Sequence, residues 1–171
     1  MKKTYLFIIL ALLFFAAFAG LYDSLVTGRM GQIVVDGSPG YDSYTGVVRR
    51  VTPLVNVSSG DVVYVSTSSG FGYPAVRKAD ADAGNTMGDL LIMISDATSN
   101  GIAPAIEYGS LQLPSLRFTS GGLPVYVSNT SGLITETAPS TAGQIKQIIG
   151  YTESKDVLRV KPELRGETVT E

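Results

Sequence analysis

The 171-residue chain contains no cysteine, no histidine and no tryptophan. Without Cys or His there is no thiolate or imidazole metal site, no Cys nucleophile, no Ser-His-Asp triad and no imidazole base working near neutral pH. No disulfide can form, so any part outside the cytoplasm must be held by its own packing and its neighbours. Charge is also sparse: Asp, Glu, Lys and Arg make up 16% of the chain. Beyond Gly20 the balance is 11 basic against 15 acidic residues, a net of −4. The basic dipeptides Arg49-Arg50 and Arg77-Lys78 read as solvated strand edges, because neighbouring strand residues point to opposite faces. A mildly acidic surface with no larger basic cluster excludes nucleic acid as an expected partner.

What the sequence does contain starts with an apolar segment. Met1-Lys2-Lys3 precedes an uncharged run from Thr4 to Tyr22 that ends at Asp23. Its membrane-facing candidates are Leu6, Phe7, Ile8, Ile9, Leu10, Leu12, Leu13, Phe14, Phe15 and Phe18. Two readings stay open. Ala17 and Ala19 form an A-x-A pattern that places a signal-peptide cut before Gly20. Alternatively, about 19 residues at 1.5 Å rise reach roughly 28 Å, close to the hydrocarbon thickness of a bilayer, and the segment is an uncleaved anchor. The anchor is the expectation carried forward, with everything after Asp23 on the far side from Lys2 and Lys3.

Residues 23–44 read as a connector, with turns at Asp36-Gly37 and Pro39-Gly40. Short runs rich in Val, Ile, Tyr and Thr, bounded by Gly, Ser, Asn or Pro, follow in quick succession. They predict strands near 46–51, 54–57, 61–66, 75–78, 90–95, 103–108, 111–118, 123–128, 133–137, 145–151 and 157–160. A spacing of about eight to twelve residues favours a sandwich or small barrel over β-α-β units. Residues 79–90 read as a loop or single turn, since Gly84 and Gly88 interrupt them.

One repeat is visible. Gly60, Tyr64, Ser66, Ser69 and Gly70 recur at Gly122, Tyr126, Ser128, Ser131 and Gly132, always 62 positions later. The common content is a V-Y-V strand running into a Ser/Gly turn, where Gly supplies positive φ and Ser bonds nearby backbone. The expected fold is therefore all-β: two related small β-sandwich or barrel units, 45–110 and 111–165, behind one N-terminal hydrophobic helix (1–22) and before a tail (166–171).

Several constellations suggest chemistry and are outweighed by plainer readings. Asp80 and Asp82 sit at alternate positions as in calcium loops, but the closing Glu position holds Leu91 and the sixth position holds Asn85 instead of Gly. They stand as a weak calcium candidate against a solvated acidic turn. Asp61, Asp89, Asp96, Glu107, Glu136 and Glu153 could supply paired carboxylates for glycoside cleavage, yet no spacing selects a pair. Asn56-Val-Ser58 and Asn129-Thr-Ser131 match the N-glycosylation pattern, a short match that arises often by chance. Among the tyrosines, Tyr64 and Tyr126 read as structural, and Tyr41, Tyr44 and Tyr73 as possible contacts. No catalytic residue, cofactor or metal is expected.

From Val62 to Pro162 the chain resembles a β module of bacteriophage virion structural proteins, found in head-decorating, fibre and spike-associated chains. The resemblance is carried by Lys78-Ala-Asp80-Ala-Asp82-Ala83, Thr86-Met87 and Gly122-x-Pro124-Val-Tyr126-Val-Ser128. Gly132-x-x-Thr135, Ala138-Pro139-Ser140, Gly143 and Gln147-Ile148-Ile149-Gly150 complete it. It implies an oligomeric, non-catalytic module on a virion surface. The hydrophobic start departs from that pattern and fits a particle with an internal membrane. The expected partners are then other virion proteins of the capsid or a spike, further copies of the chain, and a lipid bilayer through residues 4–22. The alternative is a secreted or cell-surface adhesin released by a signal peptidase.

Overall fold

The computed structural model describes residues 43–66 and 72–170, and the backbone of residues 32–36. The expected hydrophobic segment 1–22, Tyr41, and Ser69 and Gly70 of the repeat lie outside the described residues. Among the described residues, no helix is long and apolar enough to cross a membrane.

Among the described residues the fold is all-β, the one short helical piece there being a 3-10 turn at Gly84–Thr86. Twelve strands form in order: β1 (Gln32–Asp36), β2 (Ser43–Pro53), β3 (Val62–Val65), β4 (Ala75–Lys78), β5 (Leu90–Met93) and β6 (Ala103–Gln112), then β7 (Pro124–Val127), β8 (Ile134–Thr135), β9 (Ile145–Lys146), β10 (Ile148–Thr152), β11 (Val157–Val160) and β12 (Glu167–Thr168). Ten of them form one sheet in the order β1, β2, β4, β3, β5, β6, β11, β10, β7, β8, and β9 pairs separately with β12.

Because β2 also pairs with β6, the strands β2, β4, β3, β5 and β6 close a circuit. Its interior is filled by one apolar cluster to which every strand of the circuit contributes: Val51, Val63, Val76, Leu91, Met93, Ala103 and Ala105. The small residues on β6 suit the narrow space inside five strands. A second, larger cluster lies on the other face of β3 and β5, through Val62, Leu90 and Ile92. It continues through Leu111, Val125, Val127, Ile149, Leu158 and Val160. Strands β3 and β5 are thus covered on both faces, which explains why Leu90-Leu-Ile-Met93 is an unbroken apolar run rather than an alternating one.

β6 joins the two clusters. It runs antiparallel to β2 from Val51↔Ala103 to Ser43↔Gln112, and its far end pairs with β11 from Val157↔Gln112 to Val160↔Gly109. Gly46 and Gly109 face each other, both at φ near +130° (131° and 133°), beside a register shift between Val47 and Val48. A Cβ on Gly46 would collide with the carbonyl of Tyr108, and one on Gly109 with that of Thr45, so only glycine fits at either position.

Several predicted elements are corrected. Predicted strands 103–108 and 111–118 merge at their start into β6, and residues 113–123 are loop and turn. The Gly109-Ser110 step that reads as a break is paired with Gly46 and Thr45 inside β6. Residues 54–57 form no strand, only an isolated bridge between Val57 and Ala97. The run 145–151 is divided at Gln147, the connector contains β1, and the tail contributes β12. The position 110/111, expected as a boundary between units, falls within β6.

Candidate functional site

Residues 78–86, which include the first of the stretches that carry the resemblance, are bonded to several distant parts of the chain. Ala79 and Ala81 are fully buried, while the intervening Asp80 is half-buried and Asp82 exposed. Short side chains at 79 and 81 let the backbone lie directly on the second half of the chain. The amide of Ala81 donates to the Ser128 carbonyl (3.0 Å), and the amide of Ile145 donates to the Ala81 carbonyl (2.8 Å). Gln144 Nε2 donates to Asp82 Oδ1 (2.7 Å), and the Asp82 amide donates to Asp80 Oδ1 (3.0 Å). The Thr86 hydroxyl closes the turn, donating towards the carbonyls of Asp80 and Ala83 and accepting from the Asp80 amide. The two aspartates of the calcium candidate are therefore engaged in turn and bracing bonds. Among the described residues no group of three or more His, Cys, Asp or Glu side chains is placed to hold a metal ion.

Gly132 is the plug of this brace. Its amide donates to the Ala79 carbonyl and its carbonyl accepts from the Val62 amide, both at 2.8 Å. At φ +85° it rests on a charged pair, Lys78 Nζ to Asp61 Oδ2 at 2.8 Å, and the same Asp61 oxygen accepts from the Ser58 amide at 2.7 Å. The Asp61 side chain is 7% exposed, so both donors act on a carboxylate largely removed from water.

Beside this pair opens a groove of about 430 Å³ lined by Ser58–Asp61, Ser115–Phe118 and Leu133–Glu136. It brings together Asp61 and Glu136, two of the carboxylates considered for acid–base work. Both are occupied with structural donors: Glu136 accepts from the amide (3.0 Å) and hydroxyl (2.8 Å) of Thr119, tying that loop to the end of β8. An acid–base pair needs one carboxyl free to hold and release a proton toward substrate. Glu136 has both oxygens engaged by Thr119 and anchors that loop, whereas on Asp61 it is Oδ2 that takes both Lys78 and the Ser58 amide.

The remaining acids are dispersed. Asp89 and Glu107 flank Arg49 on the surface, at 3.4 and 2.8 Å, and Glu153 pairs with Arg159. Asp96 belongs to a mirrored knot that sequence reading missed. Val57 and Ala97 exchange both backbone hydrogen bonds (2.9 and 3.0 Å). The Ser59 amide donates to Asp96 Oδ1 (2.8 Å), and the Ser99 amide donates to Asn56 Oδ1 (2.9 Å). Ser59 Oγ donates to the Ile94 carbonyl (2.9 Å), and Ser99 Oγ to that of Leu54 (3.1 Å). Each partner is 40 positions from its counterpart. The signal was present as conservative pairs at that offset: Leu54/Ile94, Asn56/Asp96, Val57/Ala97, Ser58/Thr98 and Ser59/Ser99.

Of the two glycosylation matches, Asn56 is committed to the knot, while Asn129 is exposed and lines a second hollow of about 210 Å³ with Thr135 to Thr141. Tyr126 is buried and Tyr64 packs on the larger cluster, consistent with structural roles. Tyr44, expected as a contact, also packs on that cluster, because it shares the inward-facing row of Leu111 and Leu158. Tyr73 is half-buried, and among the described residues the exposed tyrosines are Tyr108 and Tyr151.

No protein family and no curated protein matches the chain.

Proposed function

We propose that this chain is a viral structural protein: a membrane-anchored, capsid-associated or spike-base component of a virion, acting without catalysis and as an oligomer. The observation that carries the proposal is the use made of residues 78–86. The side chains and amides that resemble the phage module are spent on internal bracing, with Ala79 and Ala81 buried and the polar atoms of Asp80, Asp82 and Thr86 bonded within the chain. A motif used in this way supports an architectural role, where what matters is a rigid body with many short, tightly turned strands. In the same reading, the five-strand circuit and the β11–β10–β7–β8 extension are two related β units descended from the 62-residue repeat. Residues 4–22 anchor them to a bilayer, and the other partners are capsid or spike proteins.

The test is made on material from the natural source. Particles are purified on a density gradient, and the protein is identified with its intact mass and its extraction behaviour. The proposal expects a chain starting at Met1 or Lys2 that co-sediments with particles and is released by detergent but not by high salt. A chain starting at Gly20 in the soluble secreted fraction overturns it and puts the adhesin first.

A further inference from the structure

After Val160 the chain leaves both apolar clusters and runs back across β9 and the start of β10 as an extended strap, residues 161–170. The strap is held by main-chain bonds. The Lys161 and Glu163 amides donate to the carbonyls of Ile149 and Ile148 (both 2.9 Å), and the Val169 amide donates to that of Gln144 (2.9 Å). β12 adds the antiparallel register Glu167↔Lys146 and Thr168↔Ile145. A single buried side chain contributes: Gln147 Nε2 donates to the strap carbonyl of Glu163 (2.6 Å) and to that of Gly88 (3.1 Å).

We propose that this strap is exchangeable, and that the edge formed by β9 and the first two residues of β10, Ile148 and Ile149, is an assembly surface whose occupant is the strap of a second copy of this chain. The edge is already complementary to that segment, so a neighbour's strap makes the same bonds as the chain's own. This is the condition under which swapping an element between copies costs little. Two features favour exchange. The strap contributes no side chain to either apolar cluster, so it can leave without opening the core. Its departure point, two residues after the end of β11, is Pro162, which has no amide to donate and so interrupts the ladder there. Ten residues of extended chain reach about 33 Å, enough to cross to an adjacent copy. The inference stands on the strap itself and applies equally to a virion protein or an adhesin.

The absence of native cysteine makes the test direct. Lys146→Cys and Glu167→Cys, register partners, are introduced together into the full-length chain, which is purified in mild detergent and oxidised. Exchange yields a ladder of covalent multimers on a non-reducing gel. Co-expression of the two single variants yields covalent dimers that contain one copy of each. A lone monomer band with no titratable thiol overturns the proposal, because the strap has then closed on its own chain. Monomer with both thiols free overturns it as well, since the strap is then seated in neither arrangement. As a second variant, Gly166→Val places a side chain against Ile145 and Gln147 and unseats the strap. The fraction of multimers should fall at least tenfold, with the melting transition of the core retained.

Discussion

Replacing Gly132 by alanine tests whether the two halves of the chain are locked at one residue. At φ +85°, the added Cβ would sit 2.9 Å from Lys78 Cδ and 3.0 Å from Asp61 Oδ1. Two costs combine. An L-residue held in the left-handed region loses about 1–2 kcal/mol. Pushing Lys78 away from a carboxylate that is otherwise bonded only to the Ser58 amide adds about 1–3 kcal/mol, taken below the figure for a fully buried pair because Lys78 is 30% exposed. The total, about 2–5 kcal/mol, corresponds to a fall in Tm of roughly 5–15 °C for a chain of this size. Gly122→Ala is the internal control: its φ is +84°, and nothing lies within 4 Å of the added Cβ. That variant carries the backbone cost alone, about 1–2 kcal/mol. Thermal unfolding followed by circular dichroism on the full-length chain reads both. If Gly132→Ala is no less stable than Gly122→Ala, the plug and its charged pair do not hold the halves together and the bracing argument fails.

Other perturbations follow from the same geometry. Gly46→Ala or Gly109→Ala drives a Cβ into a facing carbonyl, and should cost more than about 4 kcal/mol, seen as loss of the cooperative transition or of soluble protein. Lys78→Met leaves Asp61 with a backbone donor only and should cost about 1–3 kcal/mol in urea titration, with an unchanged m-value. In the mirrored knot, Asn56→Ala and Asp96→Ala each leave one amide without its side-chain acceptor. They should cost similar amounts, about 0.5–1.5 kcal/mol, and a several-fold difference would show that the two sides are not equivalent.

Strands whose ends are marked by local chemistry were legible in the sequence. Predicted strands 75–78 and 157–160 coincide with β4 and β11, bounded by Pro74 before one and Pro162 shortly after the other. What escaped was set by partners distant in sequence. Residues 54–57 have a strand-like composition, but their backbone is taken up by the bridge to Ala97 and the bonds to Ser99. Gly109 looks like a terminator and lies inside a strand, because its partner Gly46 is 63 residues away. β12 is two polar residues whose only reason to be a strand is the edge of β9. At the candidate site, alternation in Ala79-Asp-Ala-Asp82 was readable, yet whether the aspartates or the alanines mattered depended on Ser128, Gln144 and Ile145, which meet the segment only in the fold.

The shared strand β6 also determines how the body carries load. β2 and β11 both run antiparallel to β6 and therefore parallel to each other, with Ser43 and Val157 at the same end, opposite Gln112. Tension between a tether ahead of Ser43 and a neighbour gripping the chain beyond Val160 pulls these strands lengthwise. The ladder bonds are then loaded in shear, all together, instead of being unzipped one at a time. Pulled from ahead of Ser43 and from beyond Val160, a chain wired in this way is loaded along its ladders rather than across them.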